Sequence, residues 1–231
     1  MNSDPMAAES EQKERSRWLS LIELCVGSLI VIGHNVFRVL PNEVLILFVI
    51  GWVSLRLRDG GWKAVGLTRP KSWRRTIIIA LITAVVLQLI SEYVVMPIVT
   101  YWMHTRPDLS GFKPLVGNLK PALLMLALIW TFAAFGEEMV YRGYLLTRAA
   151  DLGGRTSAAY WLGLAYITVL FGFGHYYQGA AGVADTSVTS ALFGSVYLLS
   201  GRNLWVAILA HGFSNTIAIA LVYFNLVPQL R

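Results

Sequence analysis

The chain has almost no cysteine: Cys25 is the only one in 231 residues. That excludes an intrachain disulfide and a cysteine-rich metal site, and in its apolar run Cys25 is expected to be a small packed thiol. Charge is scarce too. Only 14% of the residues are charged and 56% are hydrophobic, against about 25% and about 45–50% in ordinary soluble domains. A soluble domain is therefore excluded, and a polytopic integral membrane protein is expected. Acid is scarcer than base, 13 residues against 19, for a net charge of +6. The basic residues cluster at the ends of apolar runs, which fits the positive-inside pattern and anionic headgroups, with no nucleic acid as partner. No internal repeat, low-complexity tract or His-Glu-x-x-His zinc-protease helix is present. Residues 1–17 hold four acidic and three basic residues and no apolar core. They lack the layout of a signal peptide and read as a polar cytoplasmic N-terminus.

What is there instead is a series of apolar runs. A bilayer core about 30 Å thick needs about 20 mainly apolar residues per helix. Seven candidate spans result, at 18–37, 41–56, 75–99, 120–147, 157–174, 184–200 and 204–226. An eighth has room in the first 60 residues or near 100–118. The fold class expected is an all-α, polytopic transmembrane helix bundle of about seven to eight spans. Glu23, Arg38 and Glu43 interrupt the first two runs, whereas residues 203–230 carry no Asp, Glu, Lys or Arg. The connector 56–75 has seven basic residues against Asp59 alone, which marks it as a cytoplasmic loop. Trp62 and Trp73 within it are expected at headgroup level. With seven spans the N-terminus lies inside, and the short links at Arg148–Arg155 and Arg202 fall on the same side. The protein divides into the polar segment 1–17, N-terminal membrane helices 18–118 with the basic loop 56–75, and a membrane core at 119–226. A multi-pass protein of the plasma (inner) membrane is expected.

Three polar groups inside these runs need an explanation. No charged residue occurs between Pro121 and Gly136, yet Glu137 and Glu138 follow side by side. A carboxylate at membrane depth costs about 2.5–3.5 kcal/mol on insertion scales. On an α-helix, positions four apart share a face and adjacent ones do not. Glu138 therefore stacks on Arg142 as a structural pair, and Glu137, over Tyr141, has no cation on its own helix. Glu137 is then either a free carboxylate suited to general-base work or a partner for a basic group on another helix. In the second group, Phe171-Gly-Phe-Gly-His175, the histidine is either an interfacial residue at a helix end or part of a site. Gly172 and Gly174 there permit close helix approach. In the third, His211-Gly-Phe-Ser-Asn215, both polar side chains project from one face, as an interhelical contact or a site. Together these groups supply a carboxylate, two imidazoles and a carboxamide, a set suited to water activation and oxyanion binding. Glu137, His175 and His211 would equally make a two-His, one-Glu metal site.

Glu137-Glu138-x-x-x-Arg142, Phe171-x-x-x-His175 and His211-x-x-x-Asn215, in that order on separate apolar runs, resemble the three motifs of the CAAX-protease and bacteriocin-processing family, also called the Abi or lysostaphin-resistance-protein-A-like family. The resemblance covers about residues 120–220. That family is built of intramembrane α-helices, and its characterised eukaryotic members cut the last three residues from prenylated CAAX proteins. The resemblance implies Glu137 as catalytic base, His175 as its partner, and His211 with Asn215 as oxyanion binders. Glu138, Arg142, Tyr141 and Phe171 are then structural or supporting. The family was first described as metal-dependent and later as a glutamate-type protease. The second view implies that no cofactor is required, with a divalent metal such as zinc as the alternative. Residues 1–100 match no motif.

The function expected is an intramembrane endopeptidase acting on a membrane-associated peptide or protein of CAAX, lipidated or bacteriocin type, with the lipid bilayer as its setting. The alternative is a non-proteolytic membrane protein, either a proton-coupled carrier or an immunity factor. A carrier favours broken helices and paired repeats, and no such pattern is visible in the sequence. At about 1.5 Å per residue, Glu137 and His211 are expected in the inner half of the bilayer. His175 is expected near the outer edge if its helix enters at Thr156. The oligomeric state is not encoded in any motif.

Overall fold

A computed structural model of the chain describes residues 5–227 and 230. Of the polar segment expected at 1–17, residues 1–4 lie outside the described residues. The described residues contain no strand. The elements are α1 (Pro5–Asn35), α2 (Glu43–Arg58), α3 (Trp73–Ile90), α4 (Met96–Met103), α5 (Leu119–Leu128), α6 (Leu146–Leu152), α7 (Ser157–Phe173), α8 (Gly179–Leu199) and α9 (Leu204–Tyr223). A π-helical turn, Ser91–Val95, joins α3 to α4, and a longer π-helix, Ile129–Leu145, joins α5 to α6. Polar caps set several helix starts. Asn42, Ser72, Thr156 and Asn203 accept hydrogen bonds from backbone amides two or three residues on, each contributing about 1 kcal/mol.

The helices run between two ends of the bundle. At one end the start of α1, the end of α2, the loop 59–72, the turn after α6 and the link between α8 and α9 meet. Arg148, fully buried, bonds Glu23 at 3.0 Å, Asp59 at 2.7 Å and Asp151 at 2.9 Å. Glu23 also accepts from Ser54 and Arg58, both at 2.6 Å. The basic loop is tied down by Tyr197 Oη to the Val65 carbonyl (2.9 Å) and by the Leu204 amide to the Gly66 carbonyl (3.0 Å). Gly66 has φ +102°, and a Cβ there would lie 1.8 Å from the Arg202 carbonyl oxygen, so no other residue fits. At the opposite end the link between α1 and α2, the stretch 104–118, the turn between α7 and α8 and the C-terminal end of α9 gather. There the Asp108 amide bonds the Gln178 carbonyl at 3.1 Å and Gly117 bonds Tyr223 at 2.9 Å. Glu43, which interrupts the second apolar run, is buried there against His34 at 3.2 Å.

The core centres on Met139–Leu146, wrapped by Leu24 and Val31 of α1, Leu47 and Leu55 of α2, Ile167 and Leu170 of α7, and Leu204 and Ala207 of α9. The outside is as apolar as the inside: Ile78, Ile82, Val85 and Leu89 of α3 are all exposed. Such a face is stable only against lipid, and the chain is an integral membrane protein. Four stretches are long and apolar enough to cross: Ser16–Asn35, Trp73–Met103, Leu119–Leu152 and Leu204–Tyr223. A fifth is added if Ser157–Phe173 and Tyr176–Leu199, bent by 55°, count as one broken span. The expected seven to eight spans are thus not reproduced by length and composition. α2, with 16 residues, falls short of the usual length, and the runs expected at 157–174 and 184–200 are two arms of the bent pair.

One smaller expectation is corrected. Cys25 is exposed, not packed, because it lies on the outer side of α1. Trp62 turns inward from its loop and stacks on Phe48 at 5.2 Å between ring centroids, while Trp73 stays partly exposed against Trp205 at 5.5 Å.

Candidate active site

The segment expected as an α-helix is wound more widely. From Ile129 to Leu145 it is π-helical, and the Leu146 amide bonds the Tyr141 carbonyl five residues back. Such geometry is rare and concentrates at functional sites. Residues four apart still meet across the wider turn: Arg142 Nη1 donates to Glu138 Oε1 at 2.9 Å, with both side chains wholly buried. Arg142 Nη2 donates to both the carbonyl and the hydroxyl of Ser190, at 3.0 Å each. The guanidinium lies over the Phe171 ring, 4.8 Å from its centroid.

The pair does more than neutralise itself. His211 Nδ1 lies 2.9 Å from the same Glu138 oxygen. A carboxylate oxygen already accepting from Arg142 accepts from His211 as well, so Nδ1 carries the proton and Nε2 is left as the nitrogen free for chemistry. The ring is fixed further by stacking on Phe193 at 4.9 Å. Spacing alone pairs Glu138 with Arg142. The additional link to His211 joins two helices 73 residues apart in sequence.

Glu137 is placed differently. Its Oε2 is buried and has no hydrogen-bond partner among the described residues. The side chain lies on the wall of a cavity of about 700 Å³, which His175, His211 and Asn215 also line. This cavity extends from Glu137 and His211 to the end of the bundle formed by Pro107, Leu109, Phe112, Leu226 and Val227. Three motifs from separate helices thus meet in one place.

His175 reaches the cavity because its helix is broken. α7 stops at Phe173, at the end of the fifth run, and the chain bends by 55° into α8. Gly172 permits the tight return, since a Cβ there would meet Ser187 Oγ at 2.1 Å. His175 Nδ1 lies 3.2 Å from the Phe171 carbonyl. A carbonyl only accepts, so this nitrogen holds the proton and Nε2 is again the free one. The Phe171 ring packs against both histidines, 4.9 Å from His175 and 6.3 Å from His211. Tyr141 packs edge-on against Phe171 at 4.9 Å.

The structure adds residues that no motif marks. Ser190 completes the Arg142 cradle, and Gln88 donates to the Ser214 carbonyl and hydroxyl at 3.1 and 3.0 Å, bracing α9 beside His211. Glu92 and Asp185 also line the cavity, with Ser91 bonded to Asp185 at 2.6 Å. As carboxylates inside apolar runs, those two carried a readable signal. Ser190 carried none.

The alternative metal set does not fit this arrangement. Among the described residues no three His, Cys, Asp or Glu side chains converge to hold an ion. The engaged Nδ1 of each histidine does not itself decide the matter, since metal-ligating histidines commonly hold that nitrogen in the same way.

Residues 119–217 match the family model described as Rce1-like, type II CAAX prenyl endopeptidase Rce1-like. No curated protein and no solved structure matches the chain. The matched segment contains all three motifs and about half of the cavity wall, and points to a CAAX-type protease. Over residues 119–217 the chain is thus similar to the Rce1-like family, in the same stretch where its motifs resemble those of the CAAX-protease and bacteriocin-processing family.

Proposed function

We propose that this protein is an intramembrane endopeptidase that hydrolyses a peptide bond of a membrane-associated peptide with water activated by Glu137. The observation that carries the reading is the unpartnered, buried Glu137 oxygen on the wall of a cavity shared with His175, His211 and Asn215. Glu137 takes a proton from water while the free Nε2 of His175 holds that water. The hydroxide adds to the scissile carbonyl carbon. The resulting oxyanion is bound by the Asn215 amide N–H and by the Nε2–H of His211 as an imidazolium, whose Nδ1–H Glu138 holds. Glu137 then delivers its proton to the departing amine as the C–N bond breaks. The reading needs no metal step.

The basic end, with the 56–75 loop, Arg148, Arg155 and Arg202, supports a cytoplasmic N-terminus in the plasma membrane. The cavity extends to the other end, so substrate enters from the face opposite the basic one. The break at His175 is also a device of carriers, but carriers pair such breaks in repeated halves, and this chain has no internal repeat. The deciding experiment uses purified protein in nanodiscs and a quenched lipopeptide reporter. Hydrolysis by the wild type and its loss in Glu137→Gln, by about 10²–10⁴-fold, supports the reading. Hydrolysis by Glu137→Gln at the wild-type rate sinks it.

A further inference from the structure

Gln88 lies near the end of α3, on the wall of the catalytic cavity beside Ser214 and Asn215. Its amide nitrogen donates to the Ser214 carbonyl at 3.1 Å and to the Ser214 hydroxyl at 3.0 Å. A carbonyl only accepts, so this contact fixes which end of the carboxamide faces α9. The other end, Oε1, accepts no hydrogen bond from a described residue. It is not sealed in the interior either, and the space beside it is the cavity that Gln88 lines. Packing anchors the residue: Ala80 and Leu87 of α3 are buried in one cluster with Phe193 of α8 and Ala210 of α9. The π-helix holds α9 as well. Trp130 Nε1 donates to the Thr216 hydroxyl at 3.2 Å, and a Cβ on Gly212 would lie 2.4 Å from the Trp130 ring. The position of α9 therefore does not rest on Gln88 alone.

We propose that Gln88 Oε1 accepts the backbone N–H of the substrate residue that supplies the scissile carbonyl, which makes Gln88 a specificity-determining residue. The proposal rests on the protease reading above and assigns a substrate group that reading leaves unheld. In an extended chain the N–H and C=O of one residue point to the same edge, which is why paired strands exchange both bonds through one residue. Once Asn215 and His211 take the scissile carbonyl oxygen, the N–H of that residue faces the same wall and needs an acceptor there. Glu92 and Asp185 also line the cavity, but Gln88 is the side chain bonded to Ser214, the residue next to Asn215. A neutral acceptor also suits the place, since a carboxylate beside the oxyanion would oppose its charge. Two hydrogen bonds to one substrate residue fix both its position and the direction of its chain, and so present the carbonyl carbon to the water held by Glu137. Proline, which has no N–H, is then rejected on the carbonyl side of the cut.

The test compares two lipopeptide reporters that are identical except that the second carries an ester oxygen in place of that one N–H, with the cut bond checked by mass spectrometry. For wild-type protein in nanodiscs, kcat/KM for the ester should be about tenfold lower, the scale of one hydrogen bond whose acceptor is left unpaired. Gln88→Met removes the acceptor and should bring the ratio of the two rates to about one. Loss of the brace on α9 slows both reporters alike, so the ratio reads substrate contact and not structure. Equal cutting of both reporters by the wild type overturns the proposal, and so does a tenfold ratio retained in Gln88→Met. Ester oxygens at other positions of the substrate should cost the wild type less; an equal loss at every position overturns the assignment without any variant having to fold. Titrating both peptides, made fluorescent, into Glu137→Gln protein keeps the two readings apart. A binding preference for the N–H peptide that Gln88→Met abolishes, with no hydrolysis by the wild type, overturns the protease reading alone.

Discussion

Glu138→Gln separates two roles that one carboxylate combines. The wild-type Oε1 receives Arg142 Nη1 and His211 Nδ1, both at 2.9 Å, in a site with no solvent exposure on either member of the ion pair. The amide keeps the shape and one acceptor oxygen but removes the charge, leaving Arg142 with Ser190 and two aromatic faces. Stranding one member of a buried pair costs about 3–5 kcal/mol. For a protein of this size each kcal/mol moves Tm by about 2–4 °C, so a fall on the order of 10 °C is expected. Arg142→Gln should lower Tm by a similar amount, since it strands Glu138 instead. The two variants should differ in chemistry. In Arg142→Gln the carboxylate still holds His211. In Glu138→Gln the imidazole loses its charged acceptor, so kcat, measured well below both melting points, should be about tenfold lower than in Arg142→Gln. Thermal unfolding in detergent followed by tryptophan fluorescence gives Tm, and the lipopeptide reporter gives kcat. If both variants melt like wild type yet are inactive, the pair belongs to the chemistry and not to the scaffold. If Tm falls equally and kcat does not differ, Glu138 does not position His211.

Asn215→Ala should lower kcat by about 10²–10³-fold with little change in KM, because an oxyanion donor acts mainly in the transition state; a change confined to KM would assign Asn215 to substrate binding. Hydrolysis should survive dialysis against a chelator, and loss that Zn²⁺ restores would overturn the glutamate mechanism. Arg148→Met removes the cation shared by Glu23, Asp59 and Asp151, far from the cavity. It should lower Tm by an amount similar to Arg142→Gln while KM for the reporter is unchanged in the folded fraction; an unaltered Tm would show that Arg58 and Arg155 suffice.

Sequence alone determined the class of the molecule. An apolar chain with few charges has one solvent it can face on both sides, and that identifies a helical membrane protein whatever the packing. The three motifs were equally legible, because a polar residue inside an apolar run is costly and stands out without any knowledge of its neighbours. The Glu138–Arg142 pair was readable for the same reason, being local enough to survive even the change from α- to π-helical winding. Cys25 was misjudged because composition does not say which side of a helix meets the core. Tertiary structure decided the rest. Only the packing of α9 on the π-helix gives Glu138 its second partner in His211 and leaves Glu137 with none. Only the bend after Phe173 brings His175 to the same cavity. The span count also depended on the fold, since hydropathy cannot distinguish two short crossings from the arms of one broken helix. Gln88 sits in an apolar run 126 residues from Ser214, and the packing of α3 on α9 decides which end of its amide is left free. Their convergence is a matter of backbone path, which no run of side chains announces.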